Sequence, residues 1–242
     1  MSNGMRTPDL LTITTAFRPL IEFIYPHTCF VCESPMQHTG SRVCQACWST
    51  IQSLGPDDPP FREMQRRLTE GGSVGGLISL YHFEKDGTLQ SVIHQLKYGG
   101  MSSLGVELGR RLGEHINRGS VDAVIPVPLH GTKLRERGYN QSASIAQGIH
   151  DVTGIPVCSS LLKRHKYTNS QTQLTAAERM VNVGDAFSLN KRGSVTPEGK
   201  TLMLVDDVVT TGATMDACAR VLRAAGARSV LAASIAIADH SV

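Results

Sequence analysis

The sequence predicts an α/β protein in which a mainly parallel sheet is flanked by helices and follows a small cysteine-rich module. Strand and helix patterns alternate from about residue 77 onward, as they do in open parallel sheets. Four of the six cysteines fall within residues 29–47. A stretch rich in Gly and Pro separates the two regions. We therefore expect an N-terminal helix and four-cysteine module over residues 1–54, a linker over residues 55–76 and an α/β domain over residues 77–242.

Composition excludes several classes of protein. The chain has 242 residues, of which 40% are hydrophobic, and this content argues against a fully disordered chain. No apolar stretch approaches the roughly 18 residues of a transmembrane helix, and the N-terminus lacks the pattern of a secretory signal. We therefore expect a cytoplasmic protein. With 24 Lys and Arg against 21 Asp and Glu, the net charge of +3 neither requires nor excludes a nucleic-acid partner.

The N-terminal part combines one predicted helix with two pairs of cysteines. Apolar residues at mostly helical spacing predict a helix over residues 10–24, which Pro26 ends. The cysteines have the spacing C-x2-C-x11-C-x2-C, and thiolates on two tight turns suit a tetrahedral zinc ion. Because four thiolates leave no open coordination position, we expect a structural zinc; a redox-active or merely buried cluster is the alternative. The expected ligands are Cys29, Cys32, Cys44 and Cys47.

The elements of the α/β domain are predicted from periodicity. Runs of apolar and β-branched residues predict strands, and apolar residues three or four positions apart predict helices. The predicted strands cover residues 77–83, 121–127, 201–205 and 229–237, and the predicted helices contain residues 89–96, 104–116, 143–149 and 215–225. Because such sheets bind ligands at the carboxyl ends of their strands, the residues after each strand are the candidate site residues.

Two adjacent acids follow the predicted strand over residues 201–205. Asp206 and Asp207 are costly at this position unless a ligand uses them, because like charges repel and burial removes their hydration. Carboxylates of this kind can hold the hydroxyl groups of a ligand. Because the two acids repel each other, we also expect the protein to be no less stable when both are replaced.

Small and hydroxylated residues then lead into a helix. Free backbone N–H groups, the positive end of the helix dipole and threonine hydroxyls predict an anion site there. Combined with the acids, this predicts a site for a phosphorylated sugar; the alternative is a helix N-terminus without a ligand. The segment is not a Walker A loop, because it lacks Gly-Lys-Thr/Ser, nor a dinucleotide-binding loop, because it has a single glycine. The predicted phosphate-binding residues are Val208, Thr210, Thr211, Gly212, Ala213 and Thr214.

Basic residues in two other segments suit further phosphates. Lys133, Arg135 and Arg137 follow the second predicted strand and suit a diphosphate group. Residues 163–172 form a longer polar and basic segment, which Arg179 follows. Solvated charged loops are the alternative for both segments. If nucleic acid binds here, basic side chains would meet its phosphates and tyrosines would stack on its bases. The candidates for DNA binding are Lys163, Arg164, Lys166, Tyr167 and Tyr139, with Tyr98 as a further aromatic side chain.

Residues 202–214 resemble the phosphoribosyl diphosphate (PRPP) motif of type I phosphoribosyltransferases. The resemblance implies that the α/β domain has a type I phosphoribosyltransferase-like fold. It also implies that Asp206 and Asp207 are the catalytic acids, which contact the ribose 2′ and 3′ hydroxyls, and that residues 210–214 wrap the 5′-phosphate. Mg²⁺ would bind together with PRPP. Residues 163–172 would correspond to the mobile loop that closes over the sugar.

The pattern over about residues 20–237 resembles the competence protein ComF family, to which the similar GntX proteins belong. It comprises a double zinc knuckle followed by the segments IHQLKYGG, IPVPLH…LRERGYNQS, RHKYTNSQTQLTAAERMVNV and VDDVVTTGAT. The resemblance implies a role in natural transformation, in which imported single-stranded DNA is handled after it crosses the inner membrane, alongside other proteins of DNA uptake. The sequence departs from the family pattern at residues 84–87 and 238–240, outside the PRPP motif.

Two functions of different classes follow. As a DNA-uptake protein, the chain would handle single-stranded DNA with a fold that binds PRPP or a related phosphorylated ribose, and we favour this function. As an enzyme, it would transfer ribose 5-phosphate from PRPP to an acceptor, with Mg²⁺ and basic side chains neutralising the departing diphosphate. No residue in the segment 60–100 or in the cysteine module points to a particular acceptor.

Overall fold

A computed structural model describes residues 27–36, 40–165, 186–190 and 195–238. The chain divides into two compact units, with the boundary between Trp48 and Ser49. The helix predicted over residues 10–24 lies outside the described residues.

The first unit is built around the two cysteine pairs. The first pair lies on a tight turn, in which the Glu33 N–H donates to the carbonyl of Cys29 at 2.7 Å. The second pair lies at the start of α1 (Gln45–Ser49), where the Trp48 N–H donates to the carbonyl of Cys44 at 3.0 Å. Each turn therefore holds its two cysteines close together.

The second unit alternates strands and helices, as the sequence predicts. Its helices are α2 (Pro59–Glu70), α3 (Thr88–Tyr98), α4 (Ser102–Gly113), α5 (Gly131–Arg137), α6 (Gln141–Thr153) and α7 (Ala213–Ala224). Its strands are β1 (Gly76–Phe83), β2 (Ala123–Pro126), β3 (Leu162–Arg164), β4 (Phe187–Leu189), β5 (Thr201–Val209) and β6 (Ser229–Ala238). Within the described ranges, every helix is too short or too polar to cross a bilayer.

The main sheet has the strand order β1-β6-β5-β2, and all three neighbouring pairs are parallel. Thr201 of the central strand β5 pairs with Ser229, and Leu202 pairs with Ala123. A second, two-stranded sheet joins β3 and β4 in antiparallel orientation. The predicted mainly parallel sheet is therefore confirmed, with a small antiparallel ribbon beside it.

The central strand is buried on both faces. Leu202 and Leu204 belong to one apolar cluster, which also contains Met215 and Leu222 of α7. The helices α4 and α6 pack so closely against each other that Gly109 leaves no room for a side chain. A Cβ at this position would lie 2.0 Å from the carbonyl oxygen of Ile145. Helices cover the sheet in this way because a parallel strand exposes two apolar faces.

The prediction of a linker over residues 55–76 is wrong for most of its length. Residues 59–70 form α2, and its side chains Phe61, Met64 and Leu68 lie in the apolar core of the second unit. The prolines at 59 and 60 suggested a break, but proline is accepted in the first turn of a helix, where its missing N–H has no intrahelical partner. The spacing of the three buried residues is the helical signal that the prolines concealed.

The acids also lie in a different element from the one expected. The sequence predicts that the strand ends at residue 205, but β5 continues to Val209 and pairs with β6 at Asp206 and at Val208. A strand ladder is made by backbone groups, so acidic side chains do not end it. Asp206 and Asp207 therefore lie within β5 and not in the loop that follows it. Successive side chains along a strand point to opposite faces of the sheet.

Candidate functional site

A cavity of about 300 Å³ opens at the carboxyl ends of β2 and β5. Its position agrees with the rule that parallel sheets bind ligands at this edge. Elements from several parts of the second unit contribute side chains to it. The charged and polar residues that line it are Lys97, Tyr98, His130, Lys133, Arg137, Gln141, Arg164, Asp206, Asp207 and Thr214.

Asp207 is buried beneath this cavity and paired with a lysine. The Nζ of Lys97, near the end of α3, lies 2.6 Å from Asp207 Oδ2, with side-chain exposures of 25% and 4%. Gln141 Nε2 donates to the other carboxylate oxygen at 3.5 Å. Burial by itself raises the pKa of Asp207, but the Lys97 ammonium outweighs it and holds that pKa below its usual value. Asp207 is therefore an ionised group with its own counter-ion.

Asp206 has a different environment, although it is the adjacent residue. Its Oδ1 accepts the hydroxyl of Ser142 at 2.8 Å and the backbone N–H of Asp207 at 2.9 Å. Burial, followed by the negative charge of Asp207, raises the pKa of Asp206 to about 7. It is the half-buried member of the pair and lines the cavity, and no lysine of the described residues is ion-paired with it.

Basic side chains form a further part of the lining. Arg137 donates to Gln141 Oε1 at 2.9 Å, while its buried Nε has no hydrogen-bond partner among the described residues. Arg164 of β3 lies over the ring of Phe187, 5.3 Å from the ring centroid. With Lys97 and Lys133 these arginines give four positive charges against two carboxylates, a balance of +2. The lining therefore suits an anionic ligand.

A second, smaller cavity of about 40 Å³ lies over the loop between β5 and α7. Gly212 precedes α7 with φ of +77°, and the Ala213 N–H donates to the hydroxyl of Thr211 at 3.3 Å. A Cβ at Gly212 would lie 2.9 Å from Leu68 Cδ2 of α2. The two cavities share Asp206, Val208 and Thr214. Asp206 thus borders both the cavity at a helix N-terminus and the cavity that the cations line, whereas Asp207 lines the larger cavity alone.

Most of the predicted site residues that the structure describes come together in these two cavities. Lys133, Arg137, Arg164, Asp206, Asp207, Val208 and Thr214 line the larger cavity, and Thr210, Thr211, Gly212 and Ala213 line the smaller one. Arg135 and Lys163 line neither. Tyr139 also lies outside both, and its hydroxyl donates to the carbonyl of Leu96. Lys166, Tyr167 and Arg179 lie outside the described residues.

Sequence reasoning gave Lys97, Gln141 and Ser142 no role of their own, although all three lie in segments that carry the family resemblance. Lys97 stands in a helix after the buried Leu96, and no pattern in the sequence shows that this helix ends beside β5. Gln141 and Ser142 are the first residues of α6. The sequence does indicate this helix start, because Asn140 is a helix-capping residue that accepts the Ser142 N–H. A helix that starts directly after a basic segment brings its first side chains to the same edge of the sheet.

The four cysteine sulfurs of the first unit fit one tetrahedral zinc ion. All four lie within 4.8 Å of one another, with 3.8 Å between Cys29 and Cys47 and 3.7 Å between Cys32 and Cys44. Zn–S bonds of about 2.3 Å place tetrahedral sulfurs roughly 3.8 Å apart. The Cys44 N–H also points to the sulfur of Cys29, at 3.3 Å, as it would to a thiolate. The donor set suits a closed structural site.

Two family profiles match the chain. Residues 135–241 match the phosphoribosyl transferase domain, and residues 20–58 match the double zinc ribbon domain. The first match includes both acids and the loop before α7, and the second includes all four clustered cysteines.

Curated relatives extend the similarity over most of the chain. The DNA utilization protein YhgH of Shigella flexneri is 33% identical over 85% of this chain and 94% of its own length. Competence protein F of Haemophilus influenzae is 37% identical over 45% of this chain, and this match spans only 47% of that protein. Competence protein ComFC of Streptococcus pneumoniae is 24% identical over 84% of both chains. The chain therefore belongs to the ComF and YhgH family of competence and DNA utilization proteins, in which a type I phosphoribosyltransferase-like fold follows an N-terminal zinc ribbon domain in the sequence.

Proposed function

We propose that the chain binds PRPP, or a related phosphorylated ribose, in the cavity beside β5 and uses this fold to handle incoming single-stranded DNA in natural transformation. The observation that carries the proposal is the position of Asp206, which lines both the cavity at a helix N-terminus and the larger cavity with its cations, where Asp207 lies beside it. The names of the relatives, which refer to competence and DNA utilization, support the biological context.

The three parts of the site match the three parts of PRPP. The loop before α7 supplies backbone N–H groups and threonine hydroxyls for the 5′-phosphate. Asp206 lines the larger cavity, where it would accept hydrogen bonds from ribose hydroxyls. Lys133 and Arg137 would meet the diphosphate, and the buried Nε–H of Arg137 is a donor without a partner in the described part of the chain.

Magnesium fits this site as a companion of the diphosphate. Lys97 already neutralises Asp207, and the cations of the lining outnumber the acids. Without the diphosphate, the protein should therefore bind a divalent cation only weakly. Mg²⁺ usually keeps phosphate and water ligands and takes only one or two carboxylates from a protein. Asp206 is the carboxylate in position to contribute. When bound, the ion would neutralise charge on the diphosphate.

Single-stranded DNA would bind through its phosphates to the basic side chains of this edge. Arg164 and Lys133 lie at the cavity, and Lys163 is exposed on the same ribbon as Arg164. Contacts of this kind carry no base information, so the preference for sequence should be slight. Each phosphate contact should add about 0.7 to the slope of log affinity against log salt.

The alternative function is transfer of ribose 5-phosphate to an acceptor. In that reaction the bond from the anomeric carbon to the diphosphate breaks, and a bond from the acceptor forms at the same carbon. The observation that favours it is the pair of side chains Lys133 and Arg137 in the cavity lining, since a leaving diphosphate is stabilised by positive charge.

One experiment with two readouts tests the proposal. Affinity for a single-stranded oligonucleotide is measured against salt for the wild type and for the triple variant Lys163→Ala, Arg164→Ala and Lys166→Ala. The charge-matched control replaces Arg62, Arg66 and Arg110, which are ion-paired and line neither cavity. We expect weaker binding and a flatter salt slope in the first variant alone, and a fall in transformation with normal growth. Equal affinity in all three proteins would contradict DNA binding at this edge.

The second readout separates binding from turnover. Release of diphosphate from PRPP is followed in the presence of Mg²⁺ and a panel of nucleobases. We expect no base-dependent release if the fold serves only to bind. Sustained release with one base would establish the enzyme as the correct alternative.

A further inference from the structure

Two large apolar side chains are exposed among the described residues, and both belong to elements at the rim of the larger cavity. Tyr98 at the end of α3 has 62% of its surface exposed, and Leu134 on α5 has 44% exposed. Single exposed apolar side chains are common on protein surfaces. An exposed aromatic ring that also lines a cation-rich cavity is a more informative feature, because it presents a flat apolar surface beside a site for anions.

Neighbouring side chains fix the position of the Tyr98 ring. The guanidinium carbon of Arg137 lies 5.2 Å from its centroid, and the His94 ring lies 5.1 Å away with an interplanar angle of 46°. Arg137 is in turn held by its hydrogen bond to Gln141. The ring is therefore supported in place while much of it faces solvent, so little conformational entropy would be lost when a planar group stacks on it.

Tyr98 differs in this respect from Tyr139. The hydroxyl of Tyr139 is used within the fold, where it donates to the carbonyl of Leu96, and its ring does not line either cavity. Of these two tyrosines, only Tyr98 combines exposure, a cationic neighbour and a place on the cavity wall.

We infer that Tyr98 is the base-stacking residue of this site, and that a nucleotide unit of single-stranded DNA binds with its base on Tyr98 and its flanking phosphates on Lys133 and Arg137. These are the two cations proposed to meet the diphosphate of PRPP, so the strand and PRPP would exclude each other there. The inference rests on the proposed function and specifies where the strand runs. A base must be unpaired to present its face to the Tyr98 ring, so stacking on this ring selects single-stranded DNA over duplex DNA. Because every base has such a face, stacking on Tyr98 tolerates any DNA sequence.

The test compares a normal oligonucleotide with one of equal length in which the sugars carry no bases. Both have the same phosphates, so their ratio of affinities isolates the contribution of stacking. We expect the wild type to bind the normal strand roughly tenfold more tightly, as a stacked base contributes. Tyr98→Phe keeps the ring and should keep the ratio, whereas Tyr98→Leu should bring it close to one. A fluorescent base analogue should be quenched by the wild type and by Tyr98→Phe only.

The outcomes separate the inference from the proposed function. If the wild type binds both strands equally, or if Tyr98→Leu keeps the tenfold ratio, Tyr98 is not the stacking residue although DNA binding stands. If neither strand binds the wild type, DNA binding itself is refuted and the inference falls with it. A mononucleotide that competes as well as the strand would overturn the assignment to DNA. Thermal unfolding of each variant shows that its fold is intact, as an exposed ring should allow.

Discussion

The Nζ of Lys97 lies 2.6 Å from the Oδ2 of Asp207, and this ion pair makes two adjacent acids unequal. Asp207 has a resident counter-ion, so its pKa is held down and its charge is compensated. Asp206 has no such partner in the part of the chain that the structure describes, and burial, followed by the charge of Asp207, raises its pKa to about 7. In the function that we propose, Asp207 therefore holds Lys97 and Gln141 in place, while Asp206 would meet the ligand.

Replacing Lys97 should destabilise the protein. Lys97→Met would leave the buried carboxylate of Asp207 uncompensated, and breaking such a pair costs about 3 kcal/mol. We expect a loss of this order in the free energy of unfolding, measured with denaturant. Lys97→Arg, which keeps the charge, is the matched control and should lose less. A change below ~1 kcal/mol in Lys97→Met would show that the pair has little structural weight.

The same ion pair reverses the expectation that removing both acids is harmless. Repulsion between the acids alone would predict a neutral or stabilising change, but the double replacement would also leave Lys97 buried without a counter-ion. We now expect Asp206→Ala to be better tolerated than Asp207→Ala, as compared by unfolding in denaturant. Equal losses in the two variants would contradict the unequal roles.

Asp206 should give the stability of the protein a dependence on pH. Its carboxyl binds a proton in the folded state up to a pH of about 7 but loses it near pH 4 when unfolded. The folded state then holds more protons between these values, so this group makes stability fall as pH rises from about 4 to 7. Unfolding of the wild type and of Asp206→Asn is compared across that range. We expect the stability of the wild type relative to the variant to decline with pH; a constant difference would contradict the raised pKa.

Gly212 should be sensitive to substitution for two separate reasons. Its φ of +77° strains any other residue, and a Cβ there would lie 2.9 Å from Leu68 Cδ2. Gly154 is a matched control, because its φ is +74° but nothing lies within 4 Å of its Cβ position. We expect Gly154→Ala to cost roughly 1 kcal/mol and to leave phosphate binding intact. Gly212→Ala should cost more and weaken phosphate binding; equal costs would show that α2 does not support the loop.

Zinc should be present at one ion per chain and should be needed by the first unit. Cys44→Ser removes a ligand, and since metal binding supplies the folding energy of such modules, the module should unfold. Cys158→Ser, which replaces a buried cysteine of the second unit, is the control, and this variant should retain one zinc ion per chain. Elemental analysis of freshly purified protein measures the metal. Absence of stoichiometric zinc in the wild type would contradict the assignment.

The sequence predicts the parallel sheet and the ligand loop because both depend on local patterns. The apolar run before Asp206 and the hydroxyl-rich segment around Gly212 are readable without knowledge of the fold. The role of Lys97 cannot be predicted from local sequence patterns, because it depends on where α3 ends relative to β5. The helix α2 was missed for a third reason, since prolines that start a helix look like prolines that break one.

Calorimetric titration with PRPP and Mg²⁺ tests the central claim most directly. The wild type is compared with Asp206→Asn and with Asp151→Asn, a control whose ion pair to Arg110 lies outside both cavities. We expect wild type and Asp151→Asn to bind PRPP alike, and Asp206→Asn to bind it at least about tenfold more weakly, as the loss of a charged hydrogen bond implies. Unchanged affinity in Asp206→Asn, or no binding of PRPP by the wild type, would contradict the assignment of this cavity to a phosphorylated ribose.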